Sequence, residues 1–308
     1  GVERAIVAKE RGESTLPAEV RYFDNAQSVE TGFTPDEVIA LDSQQINTNA
    51  YFQSDLTGKD VRRVLRRELG DLTADEQVVF DRYLDGREDK ALILERLKKH
   101  AGTSWAKQAV EGVFVREGIA MIMRGETPTF QSSLDSSSIR KMRSALETGT
   151  EGMWAYLEGT GGMMGHASKP VNNINSSFIN CNPSSDCAKY CYATQGNYRF
   201  APVLVKSEMI TMAIELDPVR AARTVAREYK ATAEFANNKA LRLFDKGDGD
   251  MKWIPFIEAL NALDVRVQIF SKQTEFLRAV SDKNLRLLSI DESNKSMADE
   301  NPDLPVAF

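Results

Sequence analysis

The stretch Ala240-Leu241-Arg242-Leu243-Phe244-Asp245-Lys246-Gly247-Asp248-Gly249-Asp250 opens as a short apolar strand and closes in a glycine-aspartate turn. The pattern returns twice downstream. Val265 to Phe270 runs into Ser271-Lys272, and Leu285 to Ile290, which includes Ser289, runs into Asp291. Helical spacing fills the gaps, over Trp253 to Leu263 and Thr274 to Val280. Upstream, Ile174 to Asn180 reads as a further strand, and Pro202 to Leu216 and Pro218 to Phe235 as helices. Strands alternating with helices at this spacing predict an α/β fold, a partial (βα) barrel or an open parallel sheet. Chemistry in such folds gathers at the C-terminal ends of the strands, where the polar clusters of this sequence fall.

A small helical domain is expected ahead of this region, over 57–145. Val61, Val64, Leu65 and Leu69 recur at helical intervals before Gly70, and Thr73 with Glu76 forms a capping box ahead of Val79, Phe80, Tyr83 and Leu84. Leu92 to Leu97 and Trp105 to Met123 supply two more helices. His100, after Lys98-Lys99, reads as a favourable charge at a helix C-terminus. The pairs Arg62-Arg63 and Arg66-Arg67, among acidic neighbours, read as a solvated face. A serine-rich stretch at 131–138 and a glycine-containing segment at 159–169 separate this bundle from a βα domain at 146–308. Residues 1–56 read as an extended arm or linker with one short helix, signalled by Thr34-Pro35-Asp36-Glu37. Gly1 in place of Met suggests a tag remnant or a cut from a longer chain.

With 308 residues, 42% hydrophobic and 27% charged, the chain can bury a real core, which excludes wholesale disorder. No stretch reaches the roughly 18 apolar residues of a membrane span. A net charge of −6 argues against a nonspecific nucleic-acid binder. Histidine is nearly absent, only His100 and His166, so a Ser-His-Asp triad or a two-histidine zinc enzyme has little material.

All three cysteines lie in one loop, Asn180-Cys181-Asn182-Pro183-Ser184-Ser185-Asp186-Cys187-Ala188-Lys189-Tyr190-Cys191-Tyr192-Ala193. An odd number in so short a span is not a disulfide framework. Three thiolates can hold three corners of an iron–sulfur cube and leave the fourth iron open to an exogenous ligand. Three alternatives stand beside this. Zinc could use the thiolates with His166 or Asp186, the thiols could be unligated, or one cysteine could act as nucleophile with His166 as base.

The strand running into a three-cysteine loop, with Tyr190 just before Cys191, resembles the radical S-adenosylmethionine (SAM) enzymes. The longer order is similar to the phage "gene product 88" family, a radical-SAM-like group. Cys187 to Ala193 comes first, then Leu241 to Asp248, Ile269-Phe270-Ser271-Lys272, and Leu288-Ser289-Ile290-Asp291. The resemblance covers about 172–295 and suggests a module of a large phage or mobile-element polyvalent protein. It implies a [4Fe-4S] cluster on Cys181, Cys187 and Cys191, with SAM on the open iron. Tyr190 would then lie near the adenine, Gly247 and Asp248 at the methionine amine, and Ser271, Lys272, Ser289 and Asp291 on the ribose, carboxylate or substrate side. The implied activity is generation of a 5′-deoxyadenosyl radical to modify a nucleic-acid or peptide substrate, in the host cytoplasm. The other class is a non-catalytic structural or interaction module with a degenerate or zinc-binding loop.

Overall fold

Thr73 and Glu76 bond reciprocally, Thr73 N to Glu76 Oε2 at 3.0 Å and Glu76 N to Thr73 Oγ1 at 3.3 Å, and so start helix α1 (Ala74–Asp85). Helices α2 (Lys90–Lys99) and α3 (Ser104–Met123) follow, then α4 (Arg140–Leu146) and α5 (Gly149–Glu158). The computed structural model describes residues 16–20, 29–33, 69–159, 162–164 and 173–307. The expected helices at Thr34 to Glu37 and over 57–68, with Val61, Val64 and Leu65, lie outside the described residues, as does His166.

The chain divides into two units, 1–55 and 56–308. In the first, β1 (Leu16–Val20) pairs antiparallel with β2 (Val29–Phe33), Leu16 opposite Phe33 and Val20 opposite Val29. The sequence reading places no strand here, because five-residue runs holding Pro17 or Gly32 carry little period-two signal.

The second unit contains five strands: β3 (Asn173–Ile174), β4 (Leu241–Leu243), β5 (Val267–Ser271), β6 (Leu285–Ser289) and β7 (Val306–Ala307). Their order in space is their order in sequence, and every pair is parallel. The result is an open α/β sheet. The strand expected over 174–180 is only two residues long, and Phe178–Asn180 is a single 3-10 turn. Serines cause this: Ser177 Oγ caps the turn, and Ser177 N donates to Thr211 Oγ1 at 3.0 Å rather than to a strand. Helix α6 (Ser185–Tyr190) carries Cys187, and α7 (Ala201–Leu216) follows the loop. The helix expected over Pro218 to Phe235 divides into α8 (Pro218–Lys230) and α9 (Ala233–Ala236), because Thr232 caps a new start. Helices α10 (Ile254–Ala262), α11 (Thr274–Ala279) and α12 (Ser296–Glu300) complete the unit. No helix of the described residues is long and apolar enough to cross a membrane.

The bundle read at 57–145 and the βα region read at 146–308 share one interior through α3. Its N-terminal half, including Trp105, Ala109, Val113 and Phe114, packs with α1, α2, Phe178, Ile179 and Ala188 of the cysteine loop. Its C-terminal half, Val115, Ile119 and Ile122, belongs to the core that holds Leu241, Leu243, Val267 and Ile269 of the sheet. Removing α3 would open both cores. A chain begun at residue 146 is therefore expected to show no cooperative thermal transition, whereas a two-state melt at the full chain's temperature would overturn this account.

Candidate metal and ligand site at the strand ends

A cavity of about 350 Å3 lies between the cysteine loop and the segments that follow β4, β5 and β6. Cys181, Cys187, Cys191, Gly247, Asp248, Ser271, Lys272 and Ser289 all line it, so the structure brings eight of the site residues read from the sequence together. Tyr190 is not among them; it is 64% exposed, with Lys189 Nζ 4.8 Å from its ring centroid, and Tyr192 lines the cavity instead. Asp291 lies behind the wall, accepting from Lys272 Nζ at 3.3 Å and from the Ser184 hydroxyl that caps α6. Burial alone would raise Asp291, but bonds from Ser184 and Ser293 and the Lys272 ammonium hold it below its ordinary value.

The turn after β4 is tight for steric reasons. Gly247 has φ +82°, and a Cβ there would fall 2.1 Å from Ser176 Oγ. At Gly249 a Cβ would fall 2.4 Å from the Phe244 ring. Only glycine fits either place. The glycine-aspartate turn is not solvated at two of its three aspartates, since Asp245 and Asp248 are 2% and 6% exposed. Tyr192 donates to the Asp245 carbonyl and Tyr198 to its carboxylate, with Arg242 Nη2 3.6 Å from Oδ1. Asp248 Oδ1 accepts from Gly249 N at 2.8 Å, and burial pushes its carboxyl up to about 7 against the bonds from Ser271 and the backbone.

Lys246 is buried at 1% exposure. Its ammonium donates to Ser207 Oγ at 3.0 Å and sits 4.8 Å from the Phe178 ring centroid. No carboxylate of the described residues comes within the 4.0 Å of an ion pair. Burial pulls its pKa down to about 8, opposed by Glu208 and by the thiols of Cys181 and Cys191. Glu208, also buried, is pushed up to about 7 by desolvation. Among the thiols, Cys187 and Cys191 share a hydrogen bond that lowers Cys187 to about 7 and raises Cys191. Burial, together with the charges of Asp248 and Cys187, raises Cys181, against the charge of Arg96. Among the described residues no three His, Cys, Asp or Glu side chains assemble as a single-ion site, and Asp186 is not part of the cavity wall.

The helical side holds the loop. Arg96 Nη1 donates to the Cys181 carbonyl at 2.6 Å, across 85 residues of sequence. His100 packs edge-on against Trp105 at 5.6 Å, where the Pro183 backbone favours its charged form against burial. The reading of His100 as an end charge is corrected: at 5% exposure, burial and Lys99 lower its pKa and favour the neutral ring. From the sheet side, Gln273 Nε2 donates to the carbonyls of Asn180 at 2.8 Å and Gly249 at 2.7 Å. Sequence reasoning missed Arg96, His100, Trp105, Lys246, Tyr192 and Gln273. Lys246 alone carried a local signal, as a cation two residues past the apolar run that ends at Phe244; the others depend on long-range packing.

The raised Asp248 sets a pH dependence. The native state holds its proton more tightly than the unfolded chain, where an aspartate titrates near 3.9. Its contribution is therefore most favourable below about pH 4 and is lost as pH rises toward about 7. Asp248→Asn should flatten the fall of melting temperature across that window, and an unchanged slope would contradict the burial argument.

The family model for Gene product 88 matches residues 137–304. Neither the curated proteins nor the solved structures yield a match. The matched span covers more than half of the 308 residues and includes the cysteine loop, β3, β4, β5 and β6. On that match the chain belongs to the phage gene product 88 family.

Proposed function

We propose that the cavity is the cofactor site of a radical-SAM-type enzyme, with Cys181, Cys187 and Cys191 as ligands of a [4Fe-4S] cluster and SAM as the second cofactor. The observation that carries this reading is a buried cation beside two of the thiols: Lys246 lines the same cavity, interacts with the charges of Glu208, Cys181 and Cys191, and has no carboxylate within 4.0 Å among the described residues. A cation so placed favours an anion in front of it, and thiolates around a cluster supply one.

Bound together, such a cluster and SAM supply a 5′-deoxyadenosyl radical, and that chemistry belongs to the cofactors. The chain's residues bind and orient. Lys272 and Asp291 form a matched pair at the cavity wall, while Ser271 and Ser289 offer hydroxyls. Asp248 can accept from an amine or, protonated, donate. Arg242 and Phe270, on the half-buried face of the sheet, line the cavity as inward residues of a partial barrel would.

Anaerobic reconstitution with iron and sulfide is expected to give about four irons per chain, lost in Cys191→Ala, with a spectral change on adding SAM. Stoichiometric zinc, or no metal, would instead favour the interaction-module reading. Cadmium titration of the reduced protein tests Lys246 separately. Lys246→Met should weaken thiolate binding of cadmium at least about tenfold, the scale of a few kcal/mol between buried charges. It should also raise the metal-free protein's stability by roughly 1–3 kcal/mol, because an unpaired buried cation is removed. A purely structural lysine would lower that stability and leave cadmium binding unchanged.

A further inference from the structure

A second and larger cleft, about 770 Å3, adjoins the cysteine cavity, and Asn182 and Lys272 line both. Its volume lies within the roughly 300–1,000 Å3 range of ligand sites. One wall comes from the turn between α1 and α2 and from α2 itself; the other comes from Asp250 to Lys252 and from Lys272 to Phe276.

The charges in this cleft separate into engaged and available ones. Arg87 is held bidentately by Asp89 at 2.8 and 2.9 Å. Arg96, 7% exposed, is committed to the Cys181 carbonyl, and Lys272 to Asp291. Exposed and without an ion pair among the described residues are one cation, Lys252, and two anions, Glu88 and Glu275. The available charge is therefore net negative. A nucleic acid needs free lysines and arginines for its phosphates and aromatic faces for its bases. The aromatic side chain lining this cleft, Phe276, is 2% exposed and offers no stacking face. The cleft does present two apolar side chains to solvent, Leu92 at 51% exposure from the helical side and Met251 at 55% from the βα side. Methionine in particular adapts to varied apolar partners.

We infer that this cleft receives an extended polypeptide segment carrying apolar and basic side chains, with Leu92 and Met251 as its apolar contacts and Glu88 and Glu275 as its charge partners. Binding of the segment requires only the cleft. That the segment is then modified rests on the radical-SAM reading of the adjoining cavity.

The test uses the metal-free full chain, so that failure of the cofactor reading and failure of this one are separate results. The probe is a fluorescein-labelled, unstructured 20-residue peptide of leucine, lysine, serine and glycine, followed by anisotropy. Comparison probes are the same peptide with glutamate for lysine, and single-stranded RNA and DNA of about 20 nucleotides. The basic peptide should bind most tightly. Leu92→Ser and Met251→Ser should each weaken it about fivefold, and Glu88→Lys with Glu275→Lys should shift preference toward the acidic peptide. These positions are exposed, and an unchanged melting temperature verifies that each variant folds. Peptide binding insensitive to all four substitutions, absent peptide binding, or tighter RNA or DNA binding that depends on Lys252 would each overturn the inference. If the peptide binds as expected and no iron is taken up, the cofactor reading fails and this one stands.

Discussion

Strand β3 gives the sheet only Asn173 and Ile174, so the cysteine loop cannot take its position from a strand ladder. It is held instead by side chains that reach its carbonyls: Arg96 to Cys181 at 2.6 Å from the helical side, and Gln273 to Asn180 at 2.8 Å from the sheet side. A buried guanidinium left without a partner costs several kcal/mol, so the bond that fixes Cys181 also keeps Arg96 tolerable in the interior. The clamp acts together with bonds to the turn after β4, where Ser176 N donates to the Lys246 carbonyl at 2.9 Å, Ser176 Oγ to the Asp248 carbonyl at 2.7 Å and Tyr192 to the Asp245 carbonyl.

Two sets of buried ionisable groups among the described residues differ in kind. Arg116 of α3 and Glu215 of α7 form a salt bridge with side chains 13% and 15% exposed, beside Tyr83. That pair is matched, and it ties two central helices together. Lys246, Glu208 and Asp248 are more deeply buried, and none has an ion-pair partner within 4.0 Å among the described residues. A fold optimised only for stability would replace them, since each held charged is unfavourable and each shifts toward neutrality. Lys246 and Asp248 line one cavity, in the single turn where a Cβ on Gly247 or Gly249 would clash, which is the kind of place where perturbed groups mark a candidate site.

The parallel sheet was legible because β4, β5 and β6 each combine an apolar run with a polar end, a signal contained within about ten residues. The grouping of Gly247, Asp248, Ser271, Lys272 and Ser289 followed from strand polarity alone, since parallel strands put their C-terminal ends on one edge. Tyr190 and Tyr192 could not be told apart in this way. Which of two nearby aromatics faces the cavity depends on where α6 ends, and Tyr190 closes that helix exposed. The division near residue 145 came from serine and glycine content, yet α3 is buried on nearly every face, with neighbours on both sides of that point. Periodicity reports how many faces of a helix are covered, and a helix covered all round has no amphipathic stripe to show which neighbours cover it.

The family match begins at residue 137, downstream of Arg96, His100 and Trp105. The matched region therefore contains the thiols and the strand-end residues, while Arg96, which holds the Cys181 carbonyl, comes from the helices before it. The larger cleft divides in the same way, with Leu92 and Glu88 outside the matched span and Met251 and Glu275 inside it. Residues 137–304 taken alone would carry the three thiols without Arg96 and one wall of the cleft without the other. In this chain the helical segment is thus part of the site rather than a preface to it. Changes in that segment can alter what enters the cleft while leaving every cysteine in place.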